Sequence, residues 1–211
     1  MFKNFCANKV LKCKIKKPKT LIMEIVRANL EEQILLIKPT RFSDNRGFFS
    51  EIYNRKRYLE MGIDNEFVQD NYSLSRTVGT LRGLHFQAPP HAQVKLVRCS
   101  RGIIFDVVVD IRRGSKTYGE WVGYELSADN AHQLYIPIGF AHGFVTLEPD
   151  SEIVYKCSDY YAPETEGVIR WDDPDIGINW LLTGNPVLSD KDALAPLLKD
   201  LESPFIFGEN S

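Results

Sequence analysis

Residues 103–111 read Ile103-Ile104-Phe105-Asp106-Val107-Val108-Val109-Asp110-Ile111. Only Asp106 and Asp110 interrupt this long β-branched run, and side chains of that shape suit a pleated, half-buried surface. Just upstream, Val94 to Arg98 alternates around Lys95. Trp121 to Leu126, Gln133 to Ile136 and Glu152 to Lys156 are further short strand candidates. Gly102, Gly114, Gly119, Gly123, Gly139 and Gly143 fall between these runs or at their edges. Many short strands with frequent turn signals predict an all-β sandwich or barrel. Helical signal is thin. Asn54 to Met61 is predicted as a short helix ended by Gly62, and Asp190 to Asp200 as a second one, broken by Pro196. There is no internal repeat and no low-complexity linker.

A chain of 211 residues, 44% hydrophobic and 26% charged, is long enough for one well-buried core and has neither a disordered nor a fibrous composition. Residues 23–211 are predicted to form a single domain. A formal charge of −2 gives no long-range pull toward nucleic acid or an acidic membrane surface, so no nucleic-acid partner is expected. No apolar run approaches the ~18 residues of a membrane span. Cys6, Cys13, Cys99 and Cys157 form no CxxC pair and are too sparse for a disulfide scaffold, which reads as reduced thiols in a cytoplasmic protein. The first 22 residues differ from the rest: Lys3, Lys9, Lys12, Lys14, Lys16, Lys17 and Lys19 crowd a segment without an acidic residue. It has no apolar h-region or small-residue cleavage site, and is expected to lie outside the fold as a disordered tail or a non-native extension. Met23, followed by Glu24-Ile25-Val26, is the more natural start.

The histidines are His85, His91, His132 and His142. His85 lies in Leu81-Arg82-Gly83-Leu84-His85-Phe86-Gln87 and His142 in Gly139-Phe140-Ala141-His142-Gly143-Phe144. Each alternates with apolar residues, as on the inner face of a strand, and each alone is equally readable as a hydrogen-bonded core histidine. Metal-binding double-stranded β-helices use a His-x-His pair with a nearby carboxylate. Here Gln87 stands two residues after His85, and a carboxamide is a poor replacement for imidazole, so no metal is expected. The other reading is acid–base chemistry, since histidine titrates near neutrality. It needs an orienting carboxylate, a cation and a second acid. Asp70, Lys95, Tyr155 and Asp192 all qualify, and spacing compels none.

Nine stretches together are specific. They are Asp44-Asn45-Arg46-Gly47-Phe48-Phe49, Phe67-Val68-Gln69-Asp70-Asn71, the His85 segment, Ala92-Gln93-Val94-Lys95-Leu96-Val97-Arg98, Phe105-Asp106-Val107 with Asp110 to Ser115, Ile136-Pro137-Ile138 running into the His142 segment, Tyr155-Lys156 with Asp159 to Pro163, Arg170-Trp171-Asp172-Asp173-Pro174, and Leu188 to Ala193. In this order they resemble the dTDP-4-dehydrorhamnose 3,5-epimerase family over about residues 23 to 195. The resemblance implies a cupin-type jelly roll, no cofactor, and a homodimer with exchanged N-terminal strands. It implies a dTDP-4-dehydro-6-deoxy-D-glucose substrate and a dTDP-4-dehydro-β-L-rhamnose product, on the way to L-rhamnose for surface polysaccharides.

The resemblance also assigns roles. His85 matches the family's base and Asp192 its dyad partner. Lys95 faces the developing oxyanion, and Tyr155 returns a proton at C5. Arg46, Glu51, Gln69, Asn71, Arg82, His142, Glu166 and Lys191 match substrate contacts, with Arg46 coming from the partner subunit. Without the resemblance Lys95 reads as a solvated edge-strand lysine, Tyr155 as a packed core aromatic, Asp192 as an exposed helix-start carboxylate and Arg46 as a surface arginine in a turn. Two positions depart from the family pattern: Val94 stands where glycine is usual, and Phe86 where tyrosine is frequent. The rivals are a related dTDP-sugar 3-epimerase or 3,4-ketoisomerase, and a non-catalytic sugar-binding cupin.

Overall fold

In this computed structural model residues 23–27, 30 and 33–208 are described, and the expectation for residues 1–22 lies outside them. The chain runs β1 (Met23–Arg27), β2 (Leu35–Pro39), β3 (Phe42–Asp44), β4 (Gly47–Phe49), α1 (Arg55–Glu60), β5 (Gln69–Ser75), β6 (Leu81–Gln87), β7 (Lys95–Arg101), β8 (Ile103–Asp110) and β9 (Trp121–Ser127). It continues through β10 (Gln133–Ile136), β11 (Phe140–Thr146), β12 (Ser151–Cys157), β13 (Glu166–Val168) and α2 (Asp190–Ala193). One sheet has six strands in the order β1-β2-β10-β7-β12-β5, and the other has five in the order β13-β6-β11-β8-β9. Every strand pairing in them is antiparallel. The architecture is the all-β jelly roll that the sequence predicts.

The Ile103–Ile111 run owes its largely apolar character to burial on both faces of β8. Ile104 and Val108 point between the sheets, into a core with Val97, Cys99, Leu134, Ile136, Phe140, Phe144 and Ile153. Val107 and Val109 point outward, into a second cluster where residues of the C-terminal segment, Ile169, Ile176, Trp180, Leu198 and Phe205, cover the sheet. Burying each such aliphatic side chain is worth about 1.5–3 kcal/mol. The outer face of the six-stranded sheet is covered by Tyr58 of α1 and by Ile63, against Leu35, Ile37 and Leu96.

The first predicted helix forms, capped at its start by the Asn54 side chain and followed by Gly62 at φ +89°. The second is shorter than expected. α2 stops at Ala193, and a separate 3-10 turn covers Leu198–Asp200. Proline disfavours helical backbone in the residue before it, which ends helical continuity ahead of Pro196. Lys95 is not on an edge strand, because β7 lies between β10 and β12.

Candidate active site

The five-stranded sheet supplies two imidazoles. His85 on β6 stands directly opposite His142 on β11. Strand periodicity would put Arg82, three residues from His85, on the other face. The β6–β11 register shifts between His142 and Phe144, and this bulge brings Arg82 and His85 to one cavity. Glycine is required at the shift. Gly83 has φ +118°, and a Cβ there would lie 2.6 Å from Gly143 Cα. The six-stranded sheet supplies Lys95 from β7 and Tyr155 from β12; Lys95 pairs with Cys157, so Tyr155 is its diagonal neighbour on the same face.

These residues line a cavity of about 540 Å³ that also holds Arg82, His142, Ser189, Lys191 and Asp192. A second lobe of about 340 Å³ shares His85, Lys95 and Tyr155 and adds Gln69, Asn71, Gln87, Gln93, Tyr161 and Glu166. Ten of the twelve residues singled out in the sequence thus surround one space: His85, Lys95, Tyr155, Asp192, Gln69, Asn71, Arg82, His142, Glu166 and Lys191. Arg46 and Glu51 do not reach the cavity of their own chain. Arg46, 85% exposed, pairs with Asp44 at the tip of the β3–β4 hairpin, and Glu51 binds Arg57 and Asn54.

Asp192 lies in the first turn of α2 but is buried, unlike the exposed helix-start carboxylate of the simplest reading. Its Oδ1 lies 2.6 Å from His85 Nε2, and its Oδ2 accepts from the Ser189 hydroxyl at 2.8 Å. Ser189 also caps the helix by accepting from the Asp192 N–H. Burial pushes the Asp192 carboxyl up, but His85 and the Ser189 hydroxyl outweigh it, so its pKa falls below the ordinary 3.8. An ionised Asp192 accepts, so His85 carries its proton on Nε2 and keeps the Nδ1 lone pair free.

The Lys95 ammonium donates to the His85 carbonyl oxygen at 3.4 Å. Burial pulls its pKa below 10.5, while Cys157, Asp106 and Glu166 hold it up. Burial raises the Tyr155 phenol above 10.0, keeping a proton on it. At the junction of the lobes Lys191 donates to Glu166 at 2.6 Å and the Tyr161 hydroxyl donates to the same carboxylate at 3.2 Å. Gln87, two residues after His85 where metal-binding double-stranded β-helices carry histidine, is engaged by backbone. Its amide donates to the carbonyls of His91 and Tyr160, and its oxygen accepts from the Ala162 N–H. No group of three or more His, Cys, Asp or Glu side chains suited to a metal occurs among the described residues.

Three contributors escaped the sequence reading. Ser189 and Tyr161 stand only three and five residues from the carboxylates they bond, Asp192 and Glu166, and the Ser189-x-x-Asp192 spacing is a local sign of a helix cap. Asp106 carried a signal, as a carboxylate in the middle of an otherwise apolar strand. Phe86 needs no hydroxyl, since its ring meets Phe205 edge-on in the outer cluster.

Two sheets that enclose an imidazole–carboxylate pair on one side, with an ammonium and a phenol on the other, define a jelly-roll enzyme equipped for proton transfer. Residues 29–200 match the family described as dTDP-4-dehydrorhamnose 3,5-epimerase. The chain belongs to that family of isomerases. The dTDP-4-dehydrorhamnose 3,5-epimerase of Salmonella typhimurium is 52% identical over 177 residues, covering 83% of this chain and 96% of its own length. That of Sinorhizobium fredii is 51% identical over 173 residues, covering 82% and 89%. The crystal structure of a dTDP-6-deoxy-D-glucose-3,5-epimerase from Legionella pneumophila in complex with dTDP-4-keto-L-rhamnose superposes with a TM-score of 0.81 at 48% identity, covering 84% of this chain and 93% of that one.

Proposed function

We propose that this chain converts dTDP-4-dehydro-6-deoxy-D-glucose into dTDP-4-dehydro-β-L-rhamnose, with His85 as the base. The observation that carries the reading is the facing of the His85–Asp192 pair by Lys95 and Tyr155 across one cavity. The hydrogens on C3 and C5 flank the C4 ketone. His85 Nδ1 takes one, the C–H electrons move into an enolate, and the negative charge settles on O4. Asp192 stabilises the imidazolium that forms, and the Lys95 ammonium holds the oxyanion. Tyr155 belongs to the opposite sheet, so its proton reaches C5 on the face away from His85, and that inverts the centre. Gln69, Asn71, Arg82, His142, Glu166 and Lys191 bind the rest of the substrate, with arginine suited to a diphosphate by its paired donors.

We further propose a homodimer in which the β3–β4 hairpin crosses to the partner and delivers Arg46. The exposure of Phe48 (59%) and Phe49 (70%) beside Arg46 supports this, because a lone hairpin has no reason to show two adjacent phenylalanines to water. Cys99 and Cys157 are free and buried, which fits a reducing, cytoplasmic setting. Among the described residues no helix is long and apolar enough to cross a membrane.

The test is incubation with the dTDP-4-keto sugar in D₂O, followed by NMR with EDTA present. Deuterium is expected at both C3 and C5. Label at C3 alone makes the chain a 3-epimerase, a product with its ketone moved makes it a ketoisomerase, and no label leaves only a sugar-binding cupin.

A further inference from the structure

Beneath the cavity lies a carboxylate that the scheme above leaves unused. Asp106 sits in mid-β8 between Ile104 and Val108 of the inner core and is 0% exposed. Its Oδ1 lies 2.8 Å from His142 Nε2. Its Oδ2 is buried and has no hydrogen-bond partner among the described residues. A valine or isoleucine would serve the core better at this position, because a carboxylate stripped of water is unfavourable unless charge and hydrogen bonds replace its hydration. The two groups able to supply these, His142 and Lys95, both line the reaction cavity.

We propose that Asp106 is a positioning residue for the epimerisation: it fixes the His142 ring through Nε2 and serves as a counter-charge behind the Lys95 ammonium that faces the substrate oxygen. The proposal deepens the reading above and rests on it. With the Nε2–H committed to Asp106, the edge of His142 left for the substrate is Nδ1. The charge of Asp106 also opposes the desolvation of Lys95. Lys95 is faced by Asp106 from β8, Cys157 and Tyr155 from β12, Glu166 from β13, His85 from β6 and Lys191 from α2. Of the carboxylates acting on it, Glu166 is already paired with Lys191, so the free oxygen of Asp106 carries the uncommitted charge.

The test is Asp106→Asn, which keeps the shape and removes the charge. We expect kcat/KM for the dTDP-4-keto sugar to fall at least about tenfold and its alkaline limb to move down by roughly 1–2 pH units, as loss of a nearby opposite charge lowers a lysine pKa. A carboxylate that only supports the fold would lower thermal stability and leave that limb in place, and this result overturns the proposal. A second measurement does not depend on the variant folding. In the wild-type protein, ¹⁵N NMR of the imidazoles should show His142 protonated on Nε2, and a bare Nε2 also overturns it. Wild-type protein that exchanges no deuterium into the sugar would instead sink the underlying reading of function.

Discussion

At the scale of single residues, the proposed mechanism sets the His85–Asp192 pair against Lys95 and Tyr155 of the other sheet. His85→Ala should cost about 10²–10⁴ in kcat, the span of general acid–base catalysis. Lys95→Met should cost about 10²–10³, as loss of one oxyanion stabiliser does. Both are read by NMR turnover, with far-UV circular dichroism to check the fold. Tyr155→Phe should still wash deuterium into C3 and fail at C5, and unchanged turnover would reject its role. Because burial lowers the Lys95 pKa, the alkaline limb of the wild-type pH profile should fall below 10.5. Asp192 gives the opposite kind of pH dependence. Its folded pKa is depressed, so its contribution to stability is complete above 3.8 and is lost as pH falls through the lower folded value. Urea unfolding of the wild type and Asp192→Asn on both sides of that pH should show the gap closing only on the acid side.

At the scale of elements, the bulge and the cap decide where those side chains point. Gly83→Ala forces a Cβ against the Gly143 backbone at positive φ, and we expect a loss of about 1–3 kcal/mol together with most of the activity, measured by chemical denaturation and turnover. Ser189→Ala removes both the cap of α2 and a partner of Asp192, and should cost about 0.5–2 kcal/mol. The strands legible in the sequence, β7 to β10 and β12, are those with a mostly apolar run or a clear alternation. β5, reading Gln69-Asp70-Asn71-Tyr72-Ser73-Leu74-Ser75, was not legible because its inner residues face a polar cavity rather than core. The short hairpin strands and β13 have too few residues to show any period.

At the scale of the whole molecule, the proposed dimer turns on the β3–β4 hairpin. If it crosses to a partner, Arg46→Ala and His85→Ala chains, each impaired alone, complement each other. Every mixed dimer then has one site with an intact His85 and a donated Arg46. Remixing equal amounts should restore roughly a quarter of wild-type activity, given one good site in each of the half of dimers that are mixed. No recovery would place Arg46 in its own chain's site or in none.

The sequence alone determined the β class, the limits of α1, and a family resemblance specific enough to name ten of the residues that surround the cavity. These are matters of local shape and residue type, which a single chain segment already carries. Only the tertiary structure decided that Asp192 is buried rather than an exposed helix-start carboxylate, that Lys95 is central rather than on an edge, and that Asp106 has one oxygen without a partner among the described residues. Those facts depend on which strands pair and which faces meet, and pairing between distant segments leaves no mark in the spacing of either one.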